Sequence, residues 1–291
     1  MILVTGATGH LGKATIDFLL GKGARLGSIA ALVRDRKKAV DLLSKGIIVM
    51  IGDYDNYASL VYAFKGVHKL LLVSGTDLEN RGKQHENAIN AAKEAGVKHI
   101  LYTSYERKNE TKNSPVAFLV QAHSYTERVI RESGIPFTIF RNNVYTDLLP
   151  VYLGEEISEK GIVFPAGEKP AAFTLRSDIA EATANVLMSE GHENKEYFFS
   201  NTENVSLRQI ADALSDLSGK TITYNSPGTQ TYIEAMTEAG VPGEYAGLFA
   251  GIAEGIKQGE FYSEKTDLEN LLQRKPSSVI EFLKQVYFFK N

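Results

Sequence analysis

The chain has no cysteine among its 291 residues. That zero excludes disulfides, a cysteine nucleophile, thiolate zinc sites and iron–sulfur clusters together. Short-spaced metal-ligand motifs are missing too, because no two of the 6 histidines (His10, His68, His85, His99, His123, His192) lie within four residues of each other. Apolar runs such as Leu70-Leu71-Leu72-Val73 fall far short of the ~20 residues needed to span a bilayer. Positive charge is not in excess: 32 lysines and arginines face 35 acids, for a net charge of −3. That balance gives no reason to expect a nucleic-acid or anionic-membrane surface. Repeats and low-complexity tracts are absent. The opening Met1-Ile2-Leu3-Val4-Thr5 lacks the basic and long apolar regions of a signal peptide, so the cytoplasm is the default expectation.

With 43% hydrophobic and 23% charged residues, the composition is that of a folded globular chain. At about 150 residues per domain there is room for two units. The first half alternates short apolar runs with helical patterns. Strands are expected at Ile2–Thr5, Ile29–Val33, Ile47–Ile51, Lys69–Val73, His99–Thr103 and Phe137–Phe140. Gly46, Gly66, Gly96 and Gly134 stand where left-handed helix ends are expected. Continuous apolar strands joined by helices predict an α/β fold, a doubly wound parallel sheet of Rossmann type. Residues 1–150 are read as this nucleotide-binding domain. Residues 151–291 are read as a smaller, mostly helical substrate lobe, with some segments returning to the sheet. Within the lobe, Ser206–Ser218 reads as an amphipathic helix capped by Ser206, with further helices at Tyr232–Ala239, Tyr245–Lys257 and Ser277–Tyr287.

The most informative stretch is Thr5-Gly6-Ala7-Thr8-Gly9-His10-Leu11-Gly12. Its three glycines, three residues apart, fall between a strand and a helix. Gly6 permits the tight turn, Gly9 lets backbone N–H groups approach a pyrophosphate, and Gly12 lets the helix pack close to the strand. Gly6, Thr8, Gly9, His10, Leu11 and Gly12 are therefore candidate cofactor contacts. The alternative is a glycine-rich turn with no ligand. Two phosphate-loop lookalikes fail: Gly12-Lys13 has Ala7 and Ala14 where glycine and a hydroxyl belong, and Gly219-Lys220-Thr221 follows a helix and has Leu214 in place of the first glycine.

Glycines three apart resemble the short-chain dehydrogenase/reductase pattern. The second strand ends Ala31-Leu32-Val33-Arg34-Asp35. A guanidinium at Arg34 suits a 2′-phosphate and favours NADP(H), while Asp35 beside it leaves NAD(H) open. A charge-assisted hydrogen bond of ~1.5–3 kcal/mol would give a preference of roughly 10- to 150-fold. Asp53 and Tyr54 after the third strand, Ser74 and Gly75 after the fourth, and Thr103 and Ser104 after the fifth are further candidates for the cofactor site.

Several stretches resemble the NmrA-like atypical short-chain dehydrogenases. They are Thr5 to Gly12, Ala31-Leu32-Val33-Arg34, Gly52-Asp53-Tyr54, Gln84-His85 with Asn90-Ala91-Ala92-Lys93, Ala95 to Ile100, Tyr102-Thr103-Ser104 and Arg141-Asn142. The closest likeness is to that group's bacterial NADPH:quinone oxidoreductases and triphenylmethane dye reductases, and it covers nearly the whole chain. The Tyr-x-x-x-Lys pair that short-chain dehydrogenases use as acid and base is missing: Tyr102 leads to Glu106, Tyr105 to Asn109 and Tyr125 to Val129. Gln121-Ala122-His123-Ser124-Tyr125-Thr126-Glu127 instead resembles the His-x-x-Thr-Glu pattern of the quinone and dye reductases, which implies that His123 contacts the nicotinamide ribose or the acceptor.

A quinone or cationic dye accepts hydride directly, so catalysis reduces to holding the acceptor over the nicotinamide in an apolar pocket. His123, Tyr105, Asn143 and Tyr145 are the substrate-positioning candidates, and none is cast as an acid or base. Val144 joins the expected wall, and Phe173 and Tyr245 are weaker candidates from the second half. The expected activity is NADPH-dependent reduction of a quinone-like acceptor by a monomer or homodimer. The rival is an NADP-binding redox sensor that acts through a protein partner and turns nothing over.

Overall fold

Strands that are apolar on both faces need cover on both sides, and the first half supplies it by interleaving strands with helices. The structure, a computed structural model, describes residues 1–289. The first half runs β1 (Ile2–Val4), α1 (His10–Gly21), β2 (Ile29–Val33), α2 (Val40–Ser44), β3 (Ile48–Ile51), α3 (Tyr57–Ala63), β4 (Lys69–Leu72), α4 (Arg81–Glu94), β5 (His99–Tyr105), α5 (Ala117–Ser133) and β6 (Phe137–Asn142). Then follow α6 (Leu149–Leu153), α7 (Ile157–Lys160), β7 (Ile162–Val163), α8 (Arg176–Met188), β8 (Lys195–Phe199), α9 (Leu207–Ser218) and β9 (Tyr224–Asn225). The last elements are α10 (Thr229–Glu238), α11 (Gly243–Gln258), α12 (Leu268–Leu272) and α13 (Val279–Phe288).

Seven parallel strands form one sheet in the order β3-β2-β1-β4-β5-β6-β8. The two-residue period of a strand sends alternate side chains to opposite cores. Leu3 packs with Leu32, Leu70 and Ile100 under Leu60, Phe64 and Ala88 of α3, the residue following it, and α4. Val4 packs with Ala31, Leu71 and Leu101 under Ile16 and Leu19 of α1 and Ile179 and Val186 of α8. Order reverses between β1 and β4, which leaves a crevice at the carboxyl ends of those strands.

A third core builds the helical lobe from Leu149, Phe164, Phe173, Ile210, Leu214, Ile256 and Phe261. Its α9 starts on a reciprocal cap between Ser206 and Gln209. Gly46, Gly66, Gly96 and Gly134 all hold φ between 75° and 77°, as their place at helix ends requires. The sheet differs from the sequence expectation in two respects. β5 and β6 run on past Thr103 and Phe140 to Tyr105 and Asn142, and β8 closes the sheet from far down the chain by pairing Thr138 with Lys195 through Asn142 with Phe199. No helix among the described residues is long and apolar enough to cross a membrane.

Candidate functional site

Leaving β1, the chain must turn sharply to enter α1. Gly6 holds φ at +57°, and its carbonyl accepts the Gly9 N–H at 2.9 Å. A Cβ on Gly12 would stand 2.4 Å from the Gly6 oxygen, so only glycine permits this approach of helix to loop. Because the Gly9 N–H is committed to the turn, the donors left for a phosphate are those of the first turn of α1, at His10, Leu11 and Gly12, which have no partner within the helix. That turn carries no acidic residue and no side-chain cap, so the positive end of the helix dipole is uncompensated. Thr8, Gly9 and His10 are exposed beside it, and Leu11 and Gly12 are buried. The cradle fits a dinucleotide pyrophosphate.

At the end of β2, Arg34 is exposed and has no ion pair among the described residues. Asp35 is occupied: its carboxylate accepts the Lys37 N–H at 2.8 Å and caps the short turn that follows. Asp53 is likewise tied into its loop, accepting the Asp55 N–H at 3.1 Å while its own N–H donates to Ser59 at 3.0 Å. Tyr54 braces the crevice. Its hydroxyl lies 2.6 Å from Thr5 Oγ1 and 3.1 Å from the Val73 carbonyl, and burial raises its pKa.

The loop after β4 is tied to the end of β5 by the Ser74 N–H, which donates to Thr103 Oγ1 at 2.9 Å. Behind them lies a directed chain of hydrogen bonds. The Gly75 N–H donates to His85 Nε2 at 3.0 Å, so the His85 proton sits on Nδ1 and goes to Thr126 Oγ1 at 2.9 Å. Arginine can only donate, so the contact of Arg81 Nη1 with His123 Nε2 at 3.4 Å makes that nitrogen the acceptor. His123 Nδ1 then donates to the Tyr102 hydroxyl at 2.7 Å, and Thr126, which accepts from His85, donates to the Ala122 carbonyl at 2.7 Å. Burial, then the Arg81 charge, pushes the His85 pKa down to about 3 and holds that of His123 well below the usual imidazole value. Both rings are neutral, and both nitrogens of each are engaged.

Ser104 and Asn143 are placed differently from the sequence expectation. Ser104 donates to Glu127 Oε1 at 2.6 Å, inside a buried cluster where Arg107, Arg131 and Arg141 all reach the same carboxylate. Burial alone would raise the Glu127 pKa, but hydrogen bonds from Arg107 and Arg141 hold it at about 2. Asn143 is not a wall residue. It is 1% exposed, and its amide donates to Glu106 Oε2 at 2.8 Å and to the Phe261 carbonyl at 3.2 Å, pinning the lobe to the sheet. Val144 and Phe173 are lobe core, and Tyr245 is 53% exposed on α11.

Tyr105 and Tyr145 are half-buried, at the end of β5 and just beyond β6. The Tyr105 ring stacks on His123 at 5.9 Å, with Phe261 edge-on at 5.8 Å. Tyr145 accepts from Asn142 Nδ2 at 3.3 Å, and the Arg176 guanidinium covers its ring at 5.6 Å. Sequence reasoning did not single out Arg81 and quoted Tyr102 and Thr126 only within family motifs, without a role of their own. Arg81, Gln84 and His85 are buried polar residues at i, i+3 and i+4 on α4, and that spacing was the signal available.

The NmrA-like family pattern matches residues 1–283. Quinone oxidoreductase 2 of Escherichia coli (strain K12) is 34% identical over 291 residues, all of both chains. The crystal structure of the NADPH-dependent quinone oxidoreductase from Escherichia coli complexed with NADPH superposes with a TM-score of 0.92 at 33% identity, over 99% of this chain and 100% of that one. Citrobacter sp. triphenylmethane reductase complexed with NADP(H) gives 0.91 at 37% identity, over 98% of this chain and 100% of the other. With its seven-stranded parallel sheet, glycine cradle and whole-length likeness, this chain belongs to the NmrA-like family.

Proposed function

We propose that this chain is a cytoplasmic, NADPH-dependent reductase that passes hydride directly to a quinone or similar conjugated small molecule. One observation carries the reading: the imidazoles at the reactive end are neutral and fully engaged, so no acid or base is poised there. Reduction of a ketone needs such a group, whereas a quinone does not, because the anion it forms is already stable.

NADPH supplies the hydride from its nicotinamide ring when bound. The protein's task is binding and alignment. The first-turn N–H groups of α1 hold the pyrophosphate and Arg34 takes the 2′-phosphate. Ser74, Gly75, Thr103 and His123 border the ribose and nicotinamide end. Tyr105 and Tyr145 give the acceptor an aromatic wall that excludes water. Support comes from the whole-length likeness to a quinone oxidoreductase and to a dye reductase complexed with NADP(H).

The test is NADPH oxidation with a panel of quinones, azo compounds and triphenylmethane dyes. Turnover with at least one class is expected. Tight NADPH binding without turnover on any acceptor would replace the enzyme reading with that of an NADP-binding sensor.

A further inference from the structure

Arg81 is a buried cation without a counter-ion. It is 6% exposed, its Nε has no partner, and no carboxylate lies within ion-pair distance of it among the described residues. Its one hydrogen bond, 3.4 Å long, is to a neutral imidazole. The contrast within this molecule is sharp, since buried Arg107 has Glu127 at 2.8 Å and partly buried Arg141 has it at 2.9 Å. A desolvated guanidinium left unpaired is costly, and it keeps its place only where something rewards the charge.

Its surroundings say where the charge is directed. Other buried polar atoms without partners gather at the same ends of β5 and β6: the Tyr105 hydroxyl, Asn142 Oδ1 and Thr146 Oγ1. Tyr145 links them, through its bond to Asn142 and its electrostatic coupling to Arg81 and Tyr105. His123 sets the guanidinium from behind: it accepts from Arg81 and is itself held by the bond from its Nδ1 to the Tyr102 hydroxyl. One arm of the fork is engaged by His123 while its Nε has no partner.

We propose that Arg81 is the acceptor-selecting residue of the site: its guanidinium binds the acceptor oxygen that becomes negative on reduction, and so selects carbonyl acceptors over cationic ones. The assignment rests on the reductase reading above. Two electrons and one hydrogen nucleus leave the nicotinamide of NADPH and bond to the quinone, giving NADP⁺ and the hydroquinone monoanion. Arg81 pairs with the oxygen of that monoanion, and water later supplies the proton that completes the hydroquinone. The interaction strengthens as charge develops, so it belongs to the transition state more than to the bound quinone. A cationic triphenylmethane dye becomes neutral on taking hydride, gains nothing from Arg81 and is repelled by it.

The experiment compares the full chain with Arg81→Met, which keeps the stem and removes the charge, and Arg81→Lys, which keeps the charge and loses the fork. The quinone-to-dye ratio of kcat/KM should fall about 100-fold in Arg81→Met, mainly through the quinone kcat, and recover in part in Arg81→Lys. NADPH affinity, measured by fluorescence titration, should stay within about threefold of wild type in both. A readout free of turnover is the ionisation of 4-nitrophenol, a chromophoric stand-in for the hydroquinone anion. The wild-type protein with NADP⁺ should bind it as the coloured phenolate at a pH where free nitrophenol is mostly protonated, and Arg81→Met should not. An equal loss for quinone and dye, a weakened NADPH complex, or unchanged phenolate binding in Arg81→Met would overturn the assignment. If wild type reduces neither acceptor yet Arg81 still governs phenolate binding, the reductase reading fails while the anion site stands.

Discussion

Arg34 and Asp35 are neighbours with opposite claims on the cofactor ribose, and their surroundings decide between them. Asp35 is held by the Lys37 N–H at 2.8 Å, whereas Arg34 is exposed with no ion pair among the described residues. Arg34→Ala is expected to raise the KM for NADPH about tenfold or more and to leave NADH nearly unchanged, the size of one charge-assisted hydrogen bond. Steady-state kinetics with both cofactors checks this, and equal effects would reject the phosphate role. The arginine was legible because it ends a strand beside a glycine loop. Arg81 was not, since a charged residue near a helix start ordinarily reads as solvated, and only the packing of α5 over α4 shows it to be buried.

At the scale of elements, the junction between β1 and α1 is set by one contact. The 2.4 Å separation between a Gly12 Cβ and the Gly6 oxygen leaves no room for even a methyl group. Gly12→Ala should push α1 off the loop, lower the thermal midpoint and abolish NADPH binding. Gly21→Ala is the control, because nothing lies within 4 Å of a Cβ there. It should keep NADPH affinity and gain a few tenths to about 1 kcal/mol from helix propensity, read by urea unfolding. Helices and strands with a full hydrophobic period were readable, as Ser206 capping α9 shows. β8 was not, because at the sheet edge its Lys195 and Glu196 are exposed and its apolar pattern is broken. Likewise the pocket role given to Asn143 failed because sequence places it after β6 but cannot say that Glu106 and Phe261 take its amide.

For the whole molecule, the buried neutral histidines make stability depend on pH. The His85 pKa is lowered from 6.5 to about 3, first by burial and then by Arg81, and His123 is lowered in the same direction for the same reasons. Between those values the unfolded chain binds protons that the folded chain refuses, so stability is full above about pH 6.5 and is lost as pH falls toward 3. Each such histidine contributes a slope of up to about 1.4 kcal/mol per pH unit. Glu127, held at about 2 against an ordinary 4.5, steepens the loss below pH 4.5. The urea midpoint should fall steadily from pH 6.5 downward, and His85→Gln should flatten that fall in proportion to one site. A wild-type midpoint constant between pH 6.5 and 5 would refute the account.

The late arrival of β8 has a consequence for how the chain is made. Until Lys195–Phe199 has been synthesised, β6 is paired with β5 on one side only and its outer edge is bare along Thr138–Asn142, and Phe140 lacks the Phe199 ring that stacks on it at 4.8 Å. A ribosome working from the N-terminus therefore carries a nascent sheet with one bare margin, open to a neighbouring nascent chain. A product released before residue 195 would be an aggregation seed rather than a working half of the protein.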